Sequence, residues 1–188
     1  MINEGNQHLV HKDAFSSGQM TSKIWLCEEL EKLNWQSSLT WIYGGWYGLT
    51  AMLLCSRGKF SVDKIESYDI DPSCQPVAEM INDNWLIQEH KFKAYTADCA
   101  ILNPVGVDLI INTSTEHFDS LAWFDRIPRG TRVVLQGNNM PHDDHFVNSA
   151  SLTEFSDQYP LTEYMYSGTK EFVYPTWGFT RYMVIGIK

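Results

Sequence analysis

The chain has 188 residues, a length that fits one domain with at most a small appendage. Hydrophobic residues make up 44% and charged residues 20%, an ordinary globular composition that excludes a disordered chain. Fourteen basic against 23 acidic residues leave a formal charge of −9, which repels nucleic acid and anionic membranes at long range.

No apolar run is long enough to cross a bilayer, and the first residues carry no basic stretch followed by an apolar core. A cytoplasmic protein is expected. Its four cysteines, Cys27, Cys55, Cys74 and Cys99, are far apart and contain no Cys-x-x-Cys. They read as reduced thiols filling the core.

Residues 1–20 are polar and mixed, and read as an arm or lid; residues 21–188 read as a single domain. From Ser22 to Leu33, Ile24, Trp25, Leu26, Leu30 and Leu33 fall largely on one helical face. Leu39–Tyr43 is a short apolar strand, ending at Gly44-Gly45-Trp46-Tyr47-Gly48. An apolar helix from Leu49 to Ser56 follows, with Gly58 as its stop. Lys64–Asp69 is a second strand. Asp71-Pro72 then places a capping acid before a proline and starts a helix to about Asn82.

Phe92–Thr96 and Val107–Ile111 are the third and fourth strands, the fourth being the most apolar. A short helix is expected over residues 120–126, and a fifth strand from Thr131 to Gln136. Ser151-Leu152-Thr153-Glu154 fits a capping box. Two β-rich runs, about 161–166 and 181–187, close the chain as an antiparallel hairpin. Alternating strands and helices imply right-handed βαβ units around a buried parallel sheet. The fold class is α/β, a Rossmann-like doubly wound and mostly parallel seven-stranded sheet.

In such sheets ligands sit beyond the carboxyl ends of the strands, where strand order reverses. All four strand ends are polar. The first carries the glycines, which admit close backbone approach and lead into a helix N-terminus. The second carries Asp69 and Asp71. Asp69 lacks a structural explanation and suits a ribose hydroxyl, whereas Asp71 is explained as a cap. The third carries Asp98-Cys99, and the fourth Asn112-Thr113-Ser114-Thr115-Glu116-His117.

On these residues the chain resembles the class I S-adenosylmethionine (SAM)-dependent methyltransferases, over roughly Leu39 to Gln136. Ile42–Gly48 resembles that family's glycine loop under the methionine moiety, and Tyr68-Asp69-Ile70-Asp71 its ribose-binding acid and the apolar cover of the adenine. Thr96–Cys99 resembles the segment whose acid holds the adenine amino group. Asp108–Asn112 resembles the strand leading to the reaction centre, and Ile127–Thr131 the turn before the fifth strand. The resemblance implies SAM as cofactor, S-adenosylhomocysteine (SAH) as product, and cofactor contacts from Gly44, Gly45, Trp46, Gly48, Asp69, Ile70, Asp98, Cys99 and Asn112.

Two positions depart from the family pattern. Tyr43 stands where an acid usually precedes the first glycine, and Trp46 stands at the usual central glycine. The fourth motif also differs from the Asn-Pro-Pro-Tyr type that serves many nucleobase and glutamine methylases. With the acidic charge, this favours a small-molecule acceptor over nucleic acid. His117 is the candidate base, assisted by Glu116. Lys23 and Trp25 are expected in a lid over the acceptor.

His142-Asp143-Asp144-His145 contains ligand-type residues but reads as a solvated rim, so no metal is expected. Gly-x-Ser-x-Gly and P-loop signatures are absent. Two alternatives stay open: a SAM-using aminocarboxypropyl-type transferase, and a non-catalytic module that binds SAM or a partner. The oligomeric state, monomer or homodimer, is also open.

Overall fold

The computed structural model describes residues 13–188. The elements run α1 (Ser17–Lys32), β1 (Gln36–Tyr43), α2 (Leu49–Arg57), β2 (Ser61–Asp69), α3 (Cys74–Ile81), β3 (Phe92–Thr96) and β4 (Leu109–Asn112), then α4 (Ala122–Asp125), β5 (Arg132–Asn138), α5 (Leu152–Gln158), β6 (Glu163–Val173) and β7 (Gly178–Ile187). A π-type turn (Asn84–Gln88) precedes β3, and a 3-10 turn (Thr115–His117) follows β4.

The strands form one seven-stranded sheet in the order β3-β2-β1-β4-β5-β7-β6. The first five are parallel to one another; β7 runs antiparallel between β5 and β6. The chain winds outward from β1 to β3, then returns to β4 on the other side of β1. Strand order therefore reverses between β1 and β4, whose last residues, Tyr43 and Asn112, are register partners.

Alternation along each strand sends side chains to opposite layers. Ile42, Ile111, Val134, Met183 and Ile185 face one apolar layer, which Leu26 and Leu30 of α1 and Leu53 and Leu54 of α2 complete. Tyr43, Ile110, Val133, Leu135 and Val184 face the other. That second layer has only the short α4 and α5 as helices, and the β3–β4 connection contributes none. Large rings fill the space instead. Trp123 is fully buried between Tyr43 (centroids 6.1 Å apart) and Tyr159 (5.6 Å), while Tyr68 stacks on Tyr95 at 5.2 Å.

Local signals explain most boundaries. Gly58 ends α2 in the left-handed conformation, at φ 63°, which costs glycine nothing. Ser151 caps α5 by accepting from the Glu154 amide at 3.1 Å, and the Glu154 carboxylate returns to the Ala150 amide at 2.7 Å. Asp71 accepts from the Ser73 amide at 2.8 Å in the turn ahead of α3, but the helix starts two residues later than expected, at Cys74, with Ser73 and not Asp71 at the N-cap. The four cysteines are free; Cys27, Cys74 and Cys99 are buried, and burial raises each thiol to about 12.

The first helix begins at Ser17, five residues earlier than the apolar face indicates. Residues 1–12 of the expected arm lie outside the described residues. Among those described, no helix is long and apolar enough to cross a membrane.

Candidate functional site

The glycine segment leaves β1 at the reversal point and turns into α2. Gly44, Trp46 and Gly48 have positive φ angles of 58°, 48° and 72°. Trp46 thus keeps the backbone conformation that a glycine would adopt there, at a steric cost of about 1–2 kcal/mol. Its ring is held by stacking on Tyr47, with centroids 5.1 Å apart. Gly45 is required for a different reason. A Cβ there would lie 1.9 Å from Ser67 Oγ on β2. The Gly45 amide donates to the Tyr68 carbonyl at 3.0 Å, which presses the loop onto the end of β2.

Asp69 locks this arrangement. Its Oδ2 accepts from the Trp46 amide at 2.8 Å and its Oδ1 from the Asp71 amide at 3.0 Å. Burial raises the Asp69 pKa above the usual carboxylate value, and these two amides pull the other way. The Cys74 thiol also hydrogen-bonds this carboxylate, so of about four acceptor positions one remains for a ligand. Gly48, at the N-cap of α2, supplies no side-chain cap, leaving amides of the first turn open to an anion.

The remaining expected cofactor residues surround the same edge. Ile70 is 70% exposed directly after Asp69. Asp98 is half-buried and accepts from the Ala100 amide at 2.8 Å. Cys99 is buried, with its Sγ 4.0 Å from the Tyr68 carbonyl oxygen. Asn112 is fully buried; its Oδ1 accepts from the Ser114 amide at 2.9 Å, and its Nδ2 has no partner among the described residues. Ser114 Oγ in turn donates to the Gly44 carbonyl at 3.4 Å, tying the β4 end to the glycine loop.

A second polar group lies beyond β4 and β5. Glu116 is 2% exposed, accepts from Asn138 Nδ2, and has Arg181 Nη2 at 3.8 Å. Asn138 and Arg181 are register partners on β5 and β7. Arg181 Nη1 also donates to the Thr113 carbonyl at 3.1 Å. Lys23, on α1, is 7% exposed and donates to Gln19 Oε1 at 2.5 Å. Desolvation, and then the nearby Arg181 charge, lower the Lys23 pKa to about 7, against a smaller upward pull from Glu116.

His117 is exposed, and its Nδ1 lies 3.1 Å from the Asp144 carbonyl oxygen rather than on Glu116. His145 stands beside it, with ring centroids 4.8 Å apart, and burial lowers its pKa.

Sequence reasoning missed Asn138, Arg181 and the position of His145. Asn138 follows the same polar-strand-end rule at β5. Arg181 is a charge inside a β-prone run, 65 residues from Glu116, and only the fold brings them together. Trp25 corrects the lid expectation. It is 5% exposed in the apolar core, and its Nε1 donates to Tyr166 Oη at 3.1 Å. A separate cleft of about 810 Å³ opens at the amino edge of the sheet, lined by Phe124, Arg129, Asp157 and Lys188. It is remote from these groups, and its Lys188 ammonium already donates to three backbone carbonyls.

No family model and no curated protein matches the sequence. Solved structures do. The N-methyltransferase NodS from Bradyrhizobium japonicum superposes with a TM-score of 0.69 at 10% identity, covering 93% of this chain and 99% of that one. YcgJ from Bacillus subtilis gives 0.67 at 14% identity, covering 90% and 98%. Magnesium protoporphyrin IX methyltransferase (ChlM) from Synechocystis, solved with bound SAM, gives 0.65 at 14% identity, covering 99% and 85%. NodS was also solved with SAH. The fold is that of the class I SAM-dependent methyltransferases.

Two predictions follow from the packing and the charge burial. Gly45→Ala should destabilise the protein by about 1–3 kcal/mol through overpacking. Ser67→Ala in the same chain should recover much of that loss, because Ser67 Oγ is the atom met first. Denaturant unfolding of both single variants and the double variant measures the coupling. For Lys23, the folded pKa of about 7 lies below the ordinary lysine value of 10.5, so the unfolded chain binds more protons between these limits. Its burial cost is present in full below about pH 7 and is relieved as pH rises toward 10.5. The stability advantage of Lys23→Met over wild type should therefore be largest near pH 6.5 and shrink by pH 9. A difference that does not change with pH would contradict the assignment.

Proposed function

We propose that the protein is a SAM-dependent methyltransferase that acts on a small-molecule acceptor. The observation that carries the proposal is the Asp69 carboxylate, fastened to the glycine loop with acceptor capacity to spare, at the reversal point of a class I methyltransferase fold. Gly44, Gly45, Trp46 and Gly48 would pass beneath the methionine moiety. The open first turn of α2 would receive its carboxylate. Asp69 would bind a ribose hydroxyl and Ile70 would cover the adenine. Asp98 and Cys99 would line the adenine edge, and Asn112, with an unpaired buried amide, would face the methionine side.

SAM supplies a methyl group on a sulfonium, transferred by in-line substitution. The chain's own part is to align the acceptor, exclude water and accept a proton where the acceptor carries one. His117 would take that proton. The Asp144 carbonyl can only accept, so it fixes the proton on Nδ1 and leaves Nε2 basic. Glu116 would act as a positioning residue. Its backbone carbonyl accepts from the Phe146 and Val147 amides at 2.8 and 3.3 Å, and its side chain holds Asn138 and Arg181.

The net charge of −9 disfavours a nucleic-acid acceptor. The four free cysteines suit a reducing, cytoplasmic setting.

Calorimetric titration with SAM and SAH tests the proposal. Micromolar binding is expected, weakened at least tenfold by Asp69→Ala, which corresponds to about 1.4 kcal/mol. Absence of binding, confirmed by an unchanged melting temperature, would overturn it.

A further inference from the structure

We infer that Glu116, His117 and His145 form a binding site for one divalent transition-metal ion of the zinc type. One ring nitrogen of each histidine and one carboxylate oxygen of Glu116 lie within 4.8 Å of one another. Two histidines and a carboxylate are a donor set that such ions accept, leaving one or more positions open.

Three features make this a built site rather than a chance meeting of polar groups. First, both histidines are oriented from behind. His117 Nδ1 contacts the Asp144 carbonyl oxygen at 3.1 Å, and His145 Nδ1 contacts the Met140 carbonyl oxygen at 2.8 Å. A carbonyl oxygen cannot donate, so each Nδ1 carries the proton and each Nε2 presents a lone pair. Backbone carbonyls commonly hold metal-binding histidines in this way.

Second, Glu116 is 2% exposed and divides its oxygens. Oε1 faces Asn138 and Arg181, while Oε2 has no hydrogen-bond partner among the described residues. A buried carboxylate oxygen without a partner is costly, and a cation would satisfy it.

Third, the two segments are stitched together by backbone. The Glu116 carbonyl accepts from the Phe146 and Val147 amides, which holds the loop bearing His145 against the turn bearing Glu116 and His117. A tetrahedral ion with bonds of about 2.1 Å spaces its ligand atoms about 3.4 Å apart, so modest side-chain rotation closes the set.

Arg181, beside Oε1, and Lys23 add positive charge near the site. They limit affinity for a cation. His142 is excluded from the set. Its ring centroid lies 5.4 Å from that of His145, and its Nδ1 accepts from the Asp144 amide at 3.3 Å. Of the residues 142–145, only His145 joins the site. In the metal-loaded protein His117 is a ligand, and it is free to act as a base only in the metal-free form.

The site uses no residue of the glycine loop and stands or falls apart from SAM binding. Zn²⁺ alone is the probe. The full chain, stripped with chelator, is titrated against a competing indicator, and retained zinc is counted by mass spectrometry after dialysis. One Zn²⁺ per chain is expected. Glu116→Gln and His145→Ala should weaken binding roughly tenfold or more, and His142→Ala should leave it within about twofold. Co²⁺ should give a visible absorption band in wild type that His145→Ala abolishes. Circular dichroism and SAM titration of each variant check that the fold persists. Substoichiometric zinc, or undiminished binding in His145→Ala with the fold intact, would overturn the inference. Loss of SAM binding alone would count against the proposed function and leave the metal site standing.

Discussion

The contact on which the site depends is the Asp69 carboxylate bound to the amide of Trp46. It joins the end of β2 to a loop that leaves β1 in the left-handed conformation, and it does so where the sheet changes direction. Around this contact the loop has little freedom. Gly45 must lack a side chain because Ser67 lies against it, and the Ser114 hydroxyl contacts the Gly44 carbonyl from the β4 side. The helix N-terminus and the Asp69 carboxylate are thereby set side by side.

The other half of the edge follows a different logic. Glu116, Asn138, Arg181 and Lys23 are all nearly fully buried. Burying charge carries a large desolvation cost that pairing only partly offsets, so packing alone does not account for the group. The group lies beyond β4 and β5, with His117 and His145 at its rim. The aromatic layer beneath supports this region. Trp123 contacts Phe118, which follows the 3-10 turn, with centroids 5.2 Å apart. Rings here do the packing that longer helices would otherwise do.

Much of the fold was legible from the sequence where hydrophobic pattern and turn chemistry agree. Phe92–Thr96 matches β3 at both ends, and Gly58 closes α2 as read. The amino ends of β1 and β2 were not legible, because Gln36, Ser37, Ser61 and Asp63 are polar yet continue the ladder. The β6 strand runs to Val173 and not to about 166. It lies at the sheet edge, is largely exposed, and needs no apolar alternation. The glycine loop and Asp69 were visible because both lie next to a strand end. Asn138, Arg181 and His145 were not, because contacts between β4, β5, β7 and the loop after β5 assemble them. Trp46 departs from the glycine pattern in side chain but not in backbone, a distinction that only φ reveals.

The most direct test of the account is a crystal structure of the protein with SAH. The account predicts a ribose hydroxyl on the free acceptor position of Asp69, the adenine against Ile70, and the amino-acid end between the glycine loop and Asn112, with the Trp46 amide still bound to Asp69. SAH bound at another edge of the sheet, or bound here with Asp69 turned away from the ribose, would contradict it.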